Sequence, residues 1–142
     1  MEVIDGEQQT ADAGFGLLEL VSPEEIEAGE FACVALRYIA GAAGLQQGAT
    51  LTIWTDSDSD WAKPQVDDPS ADGYLKIVPP TDCAASVHTP DHKSFVVTVM
   101  SGNLTQGDVI EIILGDRSEG GGGIRAQTFY ESRRNFRCEV DP

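Results

Sequence analysis

Positive charge is what this sequence has least of. Nine Lys and Arg stand against 24 Asp and Glu in 142 residues, a formal net charge of −15. Duplex nucleic-acid binders need a basic footprint to displace phosphate counterions, so that class is excluded. Docking on an anionic membrane surface is disfavoured for the same reason. Long apolar runs are also missing; none approaches the roughly 20 residues that span a bilayer. The opening stretch MEVIDGEQQTADAG carries acids where a secretory signal needs a basic region and an apolar core, so the expected location is cytoplasmic. Apolar residues nonetheless make up 41% of the chain, too many for a disordered acidic tail. The length suits one domain that buries about two-thirds of its unfolded surface.

Cysteine is scarce and odd in number: Cys33, Cys83 and Cys138. Strand alternation points Cys138 inward with Phe136 and Val140, and Cys33 outward with Arg37. Side chains on opposed faces do not converge on a disulfide, so reduced thiols are expected.

What is present is β pattern. Runs at Phe15–Val21, Glu30–Ala40, Ala49–Thr55, Tyr74–Val78, Ser94–Ser101, Asp108–Leu114, Ile124–Glu131 and Asn135–Val140 are separated by Gly, Pro, Asn and Asp. About eight such runs predict an all-β fold, an immunoglobulin-like antiparallel β-sandwich. Residues 1–12 read as a disordered lead-in and 13–142 as a single sandwich domain. The one helical signature is Ser22-Pro23-Glu24-Glu25, a Ser cap, a Pro and a Glu three places after the cap. Gly29 limits it to about a turn. Charge is uneven: residues 1–30 hold nine acids and no base, and five of the nine bases lie beyond residue 116. This asymmetry fits either pairing within the fold or a docking face.

Candidate chemistry is sparse. Asp56, Asp58 and Asp60 alternate as calcium-loop ligands can, but an EF-hand needs Gly and Glu where Trp61 and Asp67 stand. An acidic solvated loop is the expectation, with calcium as the alternative. His88 and His92, near Asp82, Cys83 and Asp91, have metal-ligand chemistry, but Pro90 between them argues against a shared helical face. No tightly bound metal and no cofactor are expected. Gly120–Gly123 has no Lys-Ser/Thr after it and precedes a strand, so it reads as a flexible loop and not a phosphate cradle. Asn103-Leu104-Thr105 matches a glycosylation sequon by coincidence of a turn. In Ile124–Glu131, alternation puts Arg125, Gln127, Phe129 and Glu131 on one face. That ladder either faces water or meets partners in a satisfied network, because burying it unpaired is costly.

Two stretches carry a resemblance: Ser22–Trp54 followed by Asp60–Ile77, and Gly107–Asp141. Their motifs are Asp60-Trp61, Pro64-Gln65, Asp68-Pro69, Tyr74, Gly115-Asp116 and Arg125-x-Gln127-Thr128-Phe129-x-Glu131. They resemble the N-terminal β-sandwich region of a bacterial domain-of-unknown-function family whose full-length members are similar to PHP-type metal-dependent hydrolases. Ala62 stands where that pattern has Gly. The resemblance implies a non-catalytic accessory domain, since neither matching stretch contains the Asp-His motif that opens the family's metal-binding part. It would act by docking on, or presenting substrate to, a downstream hydrolase-like domain of the same protein. Trp61, Pro64, Gln65, Tyr74, Arg125, Gln127, Phe129 and Glu131 would form the docking face or a structural network. The alternative is an autonomous module that takes calcium on the acidic loop, or a glycan on Trp54, Trp61 and Tyr74.

Overall fold

The computed structural model describes residues 14–55, 61–91, 94–128 and 136–142. The expected lead-in, the Asp56/Asp58/Asp60 run, His92, Phe129 and Glu131 lie outside them. Among the described residues there is no helix, and ten strands make up the fold. They are β1 (Leu17–Ser22), β2 (Phe31–Ala32), β3 (Val34–Ile39), β4 (Thr50–Thr55), β5 (Leu75–Val78), β6 (Ala84–His88), β7 (Ser94–Ser101), β8 (Val109–Leu114), β9 (Ile124–Arg125) and β10 (Phe136–Asp141).

Two four-stranded antiparallel sheets, ordered β1-β3-β8-β5 and β10-β4-β7-β6, share one core, and β2 pairs with β9 in a short third sheet. The period-two pattern explains the layering. Leu36 and Tyr38 of β3 and Ile110 and Ile112 of β8 point inward from the first sheet. Leu51 and Ile53 of β4 and Val97 and Val99 of β7 meet them from the second. Tyr38 is fully buried, and its hydroxyl donates to the Phe15 carbonyl at 2.5 Å. A buried phenol needs such a partner, since an unpaired hydroxyl in the core would cost about 1–3 kcal/mol. Burial pushes its pKa up to about 12.

The structure corrects the sequence reading in four places. The Ser22 helix does not form: Ser22 ends β1 and pairs with Ala35, so tertiary pairing overrides a local cap signal. The run at 30–40 is split at Cys33 into β2 and β3, which belong to different sheets. β6 is not announced by the sequence, because Ala84–His88 is an edge strand that offers the core only Ala85 and Val87. The run at 124–131 is a strand only at Ile124–Arg125 among the described residues.

The three cysteines are free and half-buried. Their facing follows the alternation: Cys138 packs on the core, and Cys33 shares the outward side of its run with exposed Arg37. Burial, reinforced by the Glu139 charge, pushes the Cys138 thiol up to about 12.

Candidate functional site

The described ones among the sequence-predicted residues, Trp61, Pro64, Gln65, Tyr74, Arg125 and Gln127, lie on the loop from Trp61 to Tyr74 and the segment from Gly115 to Gln127, which are tied together. The backbone ties come first. Gln65 and Tyr74 form a parallel bridge. The Gln65 amide donates to the Gly73 carbonyl at 2.9 Å, and the Leu75 amide donates back to Gln65 at 2.9 Å. The amides of Gly115 and Asp116 both donate to the Tyr74 carbonyl at 2.9 Å. Gly73 donates to Gly123 at 2.8 Å, Ala62 to Arg125 at 3.0 Å, and Ala126 to Glu30 at 2.8 Å. Three chain segments are therefore laced together through main chain alone.

Side chains complete the lacing. The Gln65 carboxamide fills its own loop: its Oε1 accepts from the amides of Asp67 and Asp68 at 2.9 Å, and its Nε2 donates to the Asp68 carbonyl at 2.7 Å. Asp68 accepts from the Ser70 amide and hydroxyl, and these bonds hold its carboxyl below the usual range. Asp72 accepts from the Gly122 amide at 3.0 Å. Arg117 spans the gap, with Nη2 donating to the Phe31 carbonyl at 2.8 Å and Nε to the Gly122 carbonyl at 3.3 Å. Buried Asp116 accepts from the Ser118 hydroxyl at 2.7 Å, and Lys76 Nζ donates to that hydroxyl oxygen at 3.4 Å. Half-buried Cys33 lies in the same field. Burial raises its thiol pKa, Arg117 opposes the rise and Asp116 adds to it.

The glycine run is the main correction here. It reads as a flexible loop in sequence, yet it threads between other backbones. A Cβ on Gly121 would stand 2.8 Å from the Ala71 and Asp116 carbonyl oxygens. A Cβ on Gly123 would stand 2.8 Å from the Ala32 carbonyl oxygen and Arg117 Nη2, at a φ of +99°. Glycine is there because nothing larger fits.

The polar ladder also resolves. Gln127 is fully buried and Arg125 half-buried, with Nη1 donating to the Ala126 carbonyl at 3.1 Å. Ala126 is buried as well, so the alternation that would align Arg125 with Gln127 on one open face does not continue past β9. Trp61 packs against the core, and Pro64 and Tyr74 are half-buried. The side chain standing out at this end is Phe31, 47% exposed and paired across strands with Arg125. Phe31, Asp72, Asp116 and Arg117 were not picked out as site residues from sequence. The acid-rich turn ahead of Tyr74 and the Gly-Asp after β8 were the signals available for the Asp72–Gly122 and Asp116 links.

Of the alternative constellations, Asp56, Asp58, Asp60 and His92 lie outside the described residues. Trp54 lies on the outer side of β4 with the Arg137 guanidinium 5.7 Å from its ring centroid, in a different sheet from the strand that follows Tyr74. His88 is exposed at the end of β6. Among the described residues, no three or more His, Cys, Asp or Glu side chains are grouped so as to hold a metal ion.

Compared with known proteins, the chain matches no family model, no curated protein sequence and no solved structure.

Proposed function

We propose that the chain is a non-catalytic accessory β-sandwich domain that docks its laced end against a hydrolase-like domain of the same protein. The observation that carries this reading is how much of the sequence fixes that end. Buried Gln127 and Asp116, close-packed glycines and the Arg117 bridge all go to holding three loops in one arrangement. An exposed Phe31 is left beside Arg125 at the rim. Pre-ordered loops lose little entropy on association, and an aromatic next to an arginine is the usual make-up of a binding anchor. Trp61, Pro64, Gln65, Tyr74 and Gln127 support that surface from behind, and Arg125 flanks it. Phe129 and Glu131 belong to the same motif. The sandwich is immunoglobulin-like in its layers. Its strand order places β4 between β7 and β10, where an immunoglobulin domain sets its last two strands side by side.

The test is calorimetric titration of this domain with the PHP-type domain that the resemblance places after it. Phe31→Ala should weaken binding at least tenfold and leave the unfolding midpoint nearly unchanged, since half-exposed side chains away from the core usually matter within about 0.5 kcal/mol. Absence of binding by the wild-type domain, or binding indifferent to Phe31, would refute the reading.

A further inference from the structure

The two sheets differ on their outward faces. The second sheet turns mostly polar side chains outward, Thr50, Thr52, Thr98, Ser86, Arg137 and Glu139, with Trp54, Val96 and exposed Met100 set among them. The first sheet is richer in apolar side chains: its outward positions include Leu17 on β1, Ala35 and Ile39 on β3, Val109 and Ile113 on β8 and Val78 on β5, beside the charged Glu19, Arg37, Glu111 and Lys76. Their strand neighbours Leu18, Leu36, Tyr38, Ile110 and Ile112 fill the core. Apolar rows on the outward face as well as the inward one give this sheet part of the pattern of a covered sheet.

Register arranges this face in three rows. Leu17, Ile39 and Val109 form an apolar row, and Ala35 and Ile113 form a second that ends at Lys76. Between them runs Glu19–Arg37–Glu111–Val78. Arg37 makes an ion pair with Glu19 through Nη2. Glu111, directly opposite Arg37 in the ladder, is exposed. The middle row is therefore one guanidinium between two carboxylates, with apolar rows on either side. Such a surface complements a copy of itself: a two-fold axis through the row sets Arg37 of each copy against Glu111 of the other and stacks apolar row on apolar row.

We propose that the outer face of the β1-β3-β8-β5 sheet is an isologous dimer interface, and that its occupant is a second copy of this chain. It does not depend on the docking reading, though Lys76 at the end of one row also reaches Ser118 in the laced end. Four strands about 4.8 Å apart and six residues long, at about 3.3 Å each, give a face of about 20 by 20 Å. That is about 400 Å² per copy, about half the roughly 800 Å² per partner of a standard interface, so the dimer is a weak one. Each copy carries −15, so it assembles where salt screens the mutual repulsion.

Sedimentation equilibrium at physiological salt, over about 1–100 μM, tests this at the affinities expected of such an interface. The expected result is a monomer–dimer equilibrium. Ile113→Asp should weaken it at least tenfold, and Thr98→Asp on the other sheet should leave it unchanged. Arg37→Glu and Glu111→Arg should each weaken it, and the double swap should restore it, which also covers the case that Ile113→Asp fails to fold. A wild-type chain that stays monomeric throughout would overturn the proposal. So would a dimer broken by Thr98→Asp but not by the face variants, or a double swap that restores nothing. A heterologous partner on the same face would appear as that monomeric outcome.

Discussion

Replacing Gly121 by alanine separates a packed strap from a flexible loop by the sign of its effect. In a loose loop, Gly→Ala restricts the unfolded chain and raises stability by about 0.4–1 kcal/mol. Gly121 has no left-handed φ, so alanine meets no backbone penalty there. It meets space instead: the new methyl carbon would stand 2.8 Å from two carbonyl oxygens, those of Ala71 and Asp116. Both oxygens belong to backbone in the laced region and have little room to retreat. Forcing a methyl into such a site costs about 1–3 kcal/mol. Setting the entropic gain against this leaves a net loss of about 1–2 kcal/mol. For a domain of this size that is a fall of about 2–8 °C in Tm. Thermal unfolding followed by far-ultraviolet circular dichroism reads it directly. An unchanged or raised Tm would refute the packing argument and return the glycine run to a linker.

Gln65→Ala removes the acceptor of two loop amides and the donor to a third group; at about 0.5–1 kcal/mol per exposed bond, urea unfolding should show a loss of about 1.5–3 kcal/mol, with faster proteolysis between residues 61 and 74. Alkaline pH should destabilise the fold through Cys138 and Tyr38. Both have folded pKa values raised to about 12, from ordinary values of 9.0 and 10.0, so their contribution is intact below pH 9 and is lost as pH climbs toward 12. Each group can contribute a slope of up to about 1.4 kcal/mol per pH unit in that window, visible as a falling urea midpoint that flattens for Cys138→Ala.

The layers of the fold are legible in the sequence because alternation is a local signal that burial then obeys: Ser94–Ser101 and Val109–Leu114 form strands where the pattern puts them. β6 is not legible, because the inward side of this edge strand is only Ala85 and Val87, too short and small an apolar period to stand out. The Ser22 cap was misleading because its residues are claimed by pairing with β3, a contact made across more than ten residues of chain. The candidate end was legible in composition but not in role. Arg125 and Gln127 look like neighbours on one strand face, and only the end of β9 at Arg125 separates their environments. Arg117 reaches Phe31 across 86 residues of sequence, and no spacing rule announces such a link.

Amide hydrogen exchange tests most directly that the end bearing the motif is a built, pre-ordered surface. The amides of Gly73, Leu75, Gly115, Asp116 and Ala126 donate to carbonyls of other segments at 2.8–2.9 Å. They should exchange with opening free energies close to that of β3 and β8, because freeing any one of them requires the laced segments to part. Exchange of these five amides at the rate of an unstructured chain, while β3 and β8 stay protected, would contradict the account.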